Sequence, residues 1–212
     1  MVLRLRRARW YRRTHARILA QGNPGYERMV ADRKRALFRD ISGTVLEIGP
    51  GGGVNFPYYP PGTRWIGVEP NAFLHGILRE KGQDLGIEAD FGTGVAERID
   101  APDESVDAVV STLVLCSVGD VRQSLREVLR VLRPGGRFYF VEHVAAPRGT
   151  RLRRVQEFMR PAWGLFTDGC RPDRETWADI EAAGFAHVDY EPLRLPIPIV
   201  GPHIVGTATK AG

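Results

Sequence analysis

The sequence has little cysteine: Cys116 and Cys170 are the only two in 212 residues. They lie 54 residues apart, and neither belongs to a CxxC pair or to the closely spaced cysteines and histidines that hold zinc. This arrangement excludes a disulfide framework. We expect two reduced thiols and no bound metal.

Long apolar runs are also missing. The longest, such as residues 113–116 and 197–200, fall far below the ~20 residues that a membrane-spanning helix needs. Four arginines between residues 9 and 17 interrupt any segment that would resemble a signal peptide. These features predict a cytoplasmic protein without a transmembrane helix. The overall composition, 43% hydrophobic and 26% charged, is that of a globular protein.

Charge is distributed unevenly along the chain. Residues 1–39 contain 12 Arg or Lys and 2 acidic residues, a net charge of +10, whereas residues 40–212 contain 18 and 23, a net charge of −5. A nucleic-acid-binding face requires basic residues grouped on the folded surface. A basic N-terminal segment followed by a mildly acidic remainder indicates an N-terminal arm instead.

The arm, residues 1–40, is predicted to be helical, and residues 41–212 to form one domain. Apolar residues recur at helical spacing among arginines over residues 3–19, which is typical of a basic amphipathic helix. Glycines and a proline at 22–25 end it, and a second helix is predicted over 26–39. Three interpretations stay open: a lid over a binding pocket, contact of residues 1–20 with an anionic lipid surface, or a solvated arm.

Strands and helices alternate through the domain. Strands are predicted at residues 44–48, 64–68, 86–91, 107–111 and 137–142, and a closing pair of strands at 187–191 and 203–209. Helices are predicted at 71–81, from 121 to the turn at Pro134 and Gly135, at 150–165 and at 173–183. This alternation predicts an α/β fold built from βαβ units around a parallel sheet.

A glycine turn follows the first predicted strand. Gly49, Gly51 and Gly53 let the backbone turn sharply and let a nucleotide-like ligand approach closely. The dinucleotide fingerprint needs a third glycine or alanine where this chain has Val54 or Phe56, so nicotinamide or flavin binding is disfavoured. A P-loop is excluded because no Gly-Lys-Ser or Gly-Lys-Thr follows.

The run Glu47-x-Gly49-x-Gly51-x-Gly53 resembles the first motif of class I S-adenosylmethionine-dependent methyltransferases. The resemblance implies a Rossmann-like seven-stranded sheet, mostly parallel with an antiparallel last strand, and helices on both faces. It also implies S-adenosylmethionine as cofactor and S-adenosylhomocysteine as product. The positive charges of this cofactor suit an acid such as Glu47. Glu69, 16 residues past Gly53, ends the second strand, where a carboxylate accepts hydrogen bonds from a ribose diol.

Later segments agree with this resemblance in order and spacing. Residues 94–97 correspond to the loop that lines the adenine, residues 107–113 resemble the fourth motif, and residues 132–136 resemble the turn before the fifth strand. The predicted cofactor-binding residues are Glu47, Gly49, Gly51, Gly53, Glu69, Asn71, Ala96, Glu97, Thr112 and Leu113.

A narrower resemblance covers residues 30–210. Short strings in a shared order are similar to the methyltransferase-like group whose animal members are alkyl-thiol S-methyltransferases: residues 51–62, 112–118, 142–145, 168–170, 174–177 and 201–204. This implies methyl transfer to a small lipophilic thiol or to sulfide. The animal members begin with a hydrophobic membrane anchor, whereas an arginine-rich helix stands here, so we do not expect stable membrane anchoring.

The acceptor site is expected beyond the carboxyl ends of the later strands. His143 ends the fifth strand and is the first candidate to orient or deprotonate the acceptor, with Asp168 and His203 as further catalytic candidates. Cys170 shares the irregular stretch of Asp168, and Cys116 is interpreted as a small buried residue. A thiol with a pKa near 8.5 needs no strong base, unlike an alcohol or a carbon acid.

Three other functions remain open at this point. The first is O-, C- or N-methylation of a quinone, lipid or natural product, which requires a convincing base. The second is RNA methylation through the arginine arm, which the acidic body disfavours. The third is cofactor binding without catalysis.

Overall fold

The computed structural model describes residues 9–92, 94–167 and 169–212. Residues 3–8 of the predicted arm helix and the candidate residue Asp168 lie outside them. The described α-helices are α1 (Arg9–Gln21), α2 (Pro24–Phe38), α3 (Ala72–Asp84), α4 (Val121–Val131), α5 (Arg151–Phe166) and α6 (Thr176–Glu181). The strands are β1 (Thr44–Ile48), β2 (Arg64–Val68), β3 (Ala89–Gly92), β4 (Val106–Thr112), β5 (Leu132–His143), β6 (His187–Arg194) and β7 (Pro202–Thr209).

The strands form one seven-stranded sheet in the order β3-β2-β1-β4-β5-β7-β6. Strands β1 to β5 are parallel, and β7 runs antiparallel to both β5 and β6. The predicted fold class is confirmed. Strand order reverses between β1 and β4, and the carboxyl ends of these strands border the crevice where open α/β sheets bind their ligands.

Local sequence explains where the helices begin. Four of them start after a short polar residue whose side-chain oxygen accepts a hydrogen bond from a backbone N–H of the first turn: Asn23, Asn71, Asp120 and Thr150. Such caps satisfy donors that have no partner within the helix. In the part of the chain that the structure describes, each helix is too short or too polar to span a bilayer.

Three elements start three or more residues away from their predicted positions, and α3 and β6 each end three residues later than predicted. Strand β5 starts at Leu132, directly after α4, because Gly135 takes φ 74° and lets Leu132 pair with Val106 ahead of a register shift. Strand β3 starts at Ala89 because residue 86 lies in the turn after α3. Helix α6 starts at Thr176 instead of 173 because Arg174, just before it, donates hydrogen bonds to backbone carbonyls of the turn after β4.

The sheet separates two apolar cores. Leu46 and Ile48 of β1 face one core, and their neighbour Val45 faces the other, as the alternation of a strand requires. The second core also contains Ala16 of α1, which is 2% exposed, and Phe38 of α2. Both arm helices therefore pack against the body of the protein.

Candidate active site

The glycine turn after β1 leaves space for a ligand at one position. Gly49, Gly51 and Gly53 all have positive φ, between 56° and 70°, which favours glycine. A Cβ on Gly49 would lie 2.7 Å from the side chain of Val114, and one on Gly53 would lie 2.8 Å from Phe56. A Cβ on Gly51 would meet nothing within 4 Å. The turn therefore packs tightly at its two ends and opens at Gly51.

Glu69 connects this turn to the start of α3. Its carboxylate accepts hydrogen bonds from the backbone N–H of Gly51 at 3.2 Å and from that of Asn71 at 2.8 Å. Asn71 caps α3 through its Oδ1 and donates from Nδ2 to the carbonyl of Arg12 at 3.0 Å. The structure thus brings three predicted cofactor residues, Gly51, Glu69 and Asn71, to one edge of the crevice.

Glu47 lies beneath the turn and is 1% exposed. Its carboxylate accepts hydrogen bonds from Asn55 Nδ2 at 2.8 Å, Tyr59 OH at 2.7 Å and Trp65 Nε1 at 2.9 Å. Burial raises the pKa of Glu47, and these three hydrogen bonds oppose that rise. The carboxylate supports the turn from inside; its contact with the cofactor stays a prediction.

The other predicted cofactor residues are divided among three places. Thr112 ends β4 and accepts a hydrogen bond from Asn55 Nδ2 at 3.0 Å, which links it to Glu47. Leu113 follows with φ 57°, an unusual value for a branched side chain that marks local backbone strain. Ala96 is buried in the core, and Glu97 accepts from the N–H of Gly119 at 2.7 Å, so its carboxylate connects the segment after β3 to the start of α4.

Helix α1 covers the turn. A Cβ on Gly52 would lie 2.4 Å from the carbonyl oxygen of Leu19 and 2.8 Å from Cα of Ala20, so only glycine permits this approach. The Arg12 guanidinium donates to the carbonyl of Pro70. These contacts hold α1 across the glycine turn and the start of α3.

On the acceptor side, His143 ends β5 and its Nε2 lies 3.0 Å from the sulfur of Cys170. Ligand atoms of Cys116, His143 and Cys170 all lie within 4.8 Å of one another, and all three residues are buried. The prediction of no metal used only sequence spacing, and folding brings together a cysteine–histidine group that spacing does not reveal. The neighbouring Cys116 thiol, and after it burial, raise the pKa of Cys170.

His203, on β7, pairs with His143 in the β5–β7 ladder. Its Nδ1–H donates to the carbonyl of Gly201 at 3.0 Å, which leaves Nε2 as the unprotonated nitrogen of the neutral ring. Burial lowers the pKa of His203 to about 4, so the ring is neutral at pH 7. Its ring centre lies 5.7 Å from that of Tyr26 on α2.

Several buried polar atoms around these histidines have no hydrogen-bond partner among the described residues: Tyr26 OH, Glu142 Oε2 and His143 Nδ1. The other oxygen of Glu142 accepts from Ser111 Oγ at 2.6 Å and from two backbone N–H groups of the turn after β4. Burial raises the pKa of Glu142. Buried polar groups without partners are costly, so these three atoms are candidates for contact with a bound molecule.

Sequence reasoning missed several residues of this region. Asn55 and Tyr59 belong to a recognised string, but no local pattern shows that they surround Glu47. Tyr26 reaches the histidines from α2, a helix that was predicted to belong to the arm. Arg174 is 7% exposed and donates to the carbonyls of Leu115 and Val118, and only the fold reveals this contact.

A separate cavity of about 670 Å³ contains none of the predicted site residues. Its lining includes five arginines and five acidic residues, several of them joined in ion pairs such as Arg153 with Glu175 and Arg160 with Asp173. The charged residues of the lining therefore carry no net formal charge.

This fold, with an open glycine turn after β1 and a carboxylate at the end of β2, defines a class I S-adenosylmethionine-dependent methyltransferase. Residues 46–140 match the family model described as a methyltransferase domain. The enzyme class and the cofactor predicted from the sequence are confirmed: S-adenosylmethionine is the methyl donor and S-adenosylhomocysteine the product.

The chain belongs to the family of the thiol S-methyltransferases TMT1A and TMT1B. It is 40% identical to human TMT1A over 198 residues, covering 87% of this chain and 81% of that protein. It is 39% identical to human TMT1B over 208 residues, covering 91% and 84%. The YcgJ protein of Bacillus subtilis has the same fold, with a TM-score of 0.68 at 20% identity over 86% of this chain and 99% of that one.

Proposed function

We propose that this enzyme transfers the methyl group of S-adenosylmethionine to the sulfur of a small lipophilic thiol or of sulfide. The observation that carries the proposal is the extent of the similarity. The general methyltransferase model ends at residue 140, whereas the similarity to the thiol S-methyltransferases covers about nine-tenths of the chain and therefore includes the acceptor side.

The cofactor supplies a methyl group activated by a sulfonium. Gly51 offers the open part of the turn, and the Glu69 carboxylate at its edge is proposed to accept hydrogen bonds from the ribose. Ala96 and Glu97 after β3 and Leu113 after β4 are further proposed binding residues. Gly49, Gly53, Asn71, Thr112 and Glu47 complete the proposed set and also hold the surrounding backbone in place.

An apolar cluster beside the histidines suits a lipophilic acceptor. Tyr26, Val30 and Leu195 form its buried part, and Leu113 packs against it, next to the proposed cofactor site. Methyl transfer is an in-line displacement, so the protein contributes chiefly by positioning the nucleophile and excluding water. His143 and His203 are proposed to orient the acceptor sulfur, and no strong base is needed for a thiol.

Helix α1 is proposed to act as a lid. The support is its contact with Gly52, its bonds through Arg12 to the start of α3, and the burial of Ala16. Its outer face exposes Trp10 at 63% and Ile18 at 62% among arginines, so contact with anionic lipid is the competing function of this helix. We propose in addition that the enzyme acts in the cytoplasm.

The test is an acceptor panel. Purified protein is incubated with S-adenosylmethionine and with matched alkyl thiols, alcohols, phenols and quinols, and both S-adenosylhomocysteine and the methylated acceptor are followed by mass spectrometry. We expect methyl thioethers and no methyl ethers from acceptors of the same carbon skeleton. Methylated phenol or quinol without methylated thiol would overturn the proposal.

A further inference from the structure

Two sulfur ligands and one imidazole converge where the acceptor is expected. Cys116 follows β4, His143 ends β5 and Cys170 follows α5, so three separate parts of the chain contribute. Their relative exposures are 2%, 4% and 8%. Two thiols and an imidazole are therefore buried together, with distances of 4.8 Å or less between their ligand atoms.

The spacing fits a small ion. Zinc binds cysteine sulfur at about 2.3 Å and histidine nitrogen at about 2.0–2.1 Å, so ligand atoms at tetrahedral angles lie about 3.5–3.8 Å apart. The ligand atoms here lie within 4.8 Å of one another, and the pair at 3.0 Å, His143 Nε2 and Cys170 Sγ, would have to move slightly apart. Shifts of about 1 Å would bring all three around one ion.

The backbone around the sulfurs is firmly held. The N–H of Arg171 donates to the carbonyl of Cys116 at 2.9 Å, and the N–H of Cys170 donates to that of Thr167 at 3.2 Å. The Arg174 guanidinium bonds to the carbonyls of Leu115 and Val118, on both sides of Cys116. The two cysteines are therefore fixed to one another through the segment 171–174, as a preorganised metal site requires.

Charge also supports this interpretation. One Zn²⁺ with two cysteine thiolates and a neutral histidine carries no net charge, which suits a buried position. A fourth ligand that is itself a thiolate would bring the site to −1. Arg174 is buried and donates to the carbonyls of Leu115 and Val118 on both sides of Cys116, so its positive charge lies close enough to offset that added charge.

We infer that Cys116, His143 and Cys170 bind one Zn²⁺ and leave its fourth position for the sulfur of the acceptor. The metal-binding part stands alone, and the role of the open position rests on the proposed thiol methylation. Three protein ligands with one open position are the arrangement of catalytic zinc sites, including those with two cysteines and one histidine. The inference replaces the expectation of no metal that spacing suggested.

The zinc would deliver the acceptor as a thiolate. A thiol that coordinates zinc loses its proton, which passes to solvent. The metal-bound sulfur then forms its bond to the methyl carbon while the bond from that carbon to the sulfonium sulfur breaks. The neutral thioether binds zinc more weakly than the thiolate and leaves, so the fourth position is open again.

The first experiment measures metal binding without any turnover. The full chain, free of affinity-tag histidines, is stripped of metal under a reductant and titrated with Co²⁺, whose thiolate ligands produce charge-transfer absorption. We expect one Co²⁺ per chain with tetrahedral visible bands, and displacement of Co²⁺ by one Zn²⁺. A chain that is folded and methylates thiols but binds no metal would overturn the inference while the proposed function stands.

Substitutions of the three proposed ligands test where the metal binds. Cys116→Ser, Cys170→Ser and His143→Gln should each weaken Co²⁺ binding by more than the 10–100-fold that changes outside the ligand set cause. His187→Gln, on the exposed part of β6, is the matched control and should bind Co²⁺ like the natural chain. Unchanged Co²⁺ binding in a folded double cysteine variant would place the metal elsewhere and overturn the inference. The titration of the natural chain remains decisive if the variants do not fold.

The open position is tested by adding an alkyl thiol to the Co²⁺-loaded chain without S-adenosylmethionine. A change in the charge-transfer band, absent with the alcohol of the same chain length, is expected. A band that does not respond to the thiol would overturn the acceptor role and leave a structural metal. If the charge-transfer band responds to the thiol but the protein methylates no thiol, the proposed function is overturned and the metal site with its open position stands.

Discussion

The Nε2 atom of His143 lies 3.0 Å from the sulfur of Cys170, although 27 residues separate the two along the chain. His143 is positioned by the end of β5, and Cys170 by the loop that follows α5. The contact joins the sheet to the acceptor-side loop at the edge where β4 and β5 end. It makes this corner of the molecule rich in sulfur and nitrogen ligands, beside the crevice assigned to the cofactor.

Replacing Glu69 tests the cofactor site. Glu69→Ala removes the carboxylate proposed to bind the ribose and also the acceptor of the Gly51 N–H. Hydrogen bonds to charged groups contribute about 1.5–3 kcal/mol, so we expect S-adenosylhomocysteine to bind about 10–100-fold more weakly by calorimetry. Glu80→Ala, at an exposed position of the helix α3 that follows Glu69, is the control and should bind normally. Equal affinities in the two variants would contradict the prediction.

The proposed role of α1 as a lid is tested by a substitution that adds one methyl group to the glycine turn. In Gly52→Ala the new Cβ collides with the backbone of Leu19 and Ala20, so α1 must move away from the turn at a cost of about 1–3 kcal/mol. We expect a lower Tm, faster hydrogen exchange in α1 and faster release of S-adenosylhomocysteine.

Gly76→Ala is the matched control for the lid. A Cβ at Gly76 meets nothing within 4 Å, and the change removes a glycine from the interior of α3, which stabilises a helix by about 0.5–1 kcal/mol. Its Tm should rise slightly. If Gly52→Ala lowers the Tm but releases the product at the normal rate, α1 is a structural cover and not a lid.

The buried network under the turn predicts different results for two substitutions of Glu47. Glu47→Ala leaves the donors of Asn55, Tyr59 and Trp65 without an acceptor, and we expect a loss of about 3 kcal/mol or more in the free energy of unfolding. For a chain of this size, that lowers the Tm by about 6–12 °C.

Glu47→Gln should cost much less than Glu47→Ala. The Oδ1 of Asn55 has no partner among the described residues, so a flip of this amide would present an acceptor to the new NH₂ group. Thermal unfolding of both variants, followed by circular dichroism, checks the order. Equal losses would show that the charge of Glu47, and not its hydrogen bonding, stabilises the turn.

The ion pairs of Glu175 predict part of the stability that the protein loses at low pH. Its carboxylate accepts from Arg148 at 2.7 and 2.8 Å and from Arg153 at 3.0 Å, and these bonds lower the pKa of Glu175 to about 2. A carboxylate whose pKa falls on folding stabilises the protein above its ordinary value of 4.5, and this contribution is lost as the pH falls towards 2.

Glu175→Gln should therefore lower the Tm at pH 7 and have progressively less effect as the pH falls below 4.5. Because the pair is partly exposed, the effect should be small and should shrink in high salt. Thermal melts between pH 3 and 7 measure it, and Glu88→Gln, at an exposed acid, is the control. A destabilisation that is the same at pH 3 and pH 7 would contradict the ion-pair explanation.

Local patterns predicted most of the fold. The apolar runs of β1, β2 and β4 and the starts of α3 and α4 carry their signals within a few residues, so their positions were correct to within about two residues. The errors came where a contact distant in sequence decides the local conformation. Leu132 becomes a strand residue because it pairs with Val106, and the start of α6 is delayed because Arg174 reaches the turn after β4.

The sequence by itself determined the enzyme class, because the glycine turn and the carboxylate at the end of β2 are short motifs whose chemistry depends on spacing. It also determined the concentration of basic charge in residues 1–39 and the order of strands and helices. Only the tertiary structure decided that Glu47 lies under the turn, that α1 covers it, and that Cys116, His143 and Cys170 meet. These relationships depend on sheet order and on packing between distant segments, and no pattern confined to one segment records them.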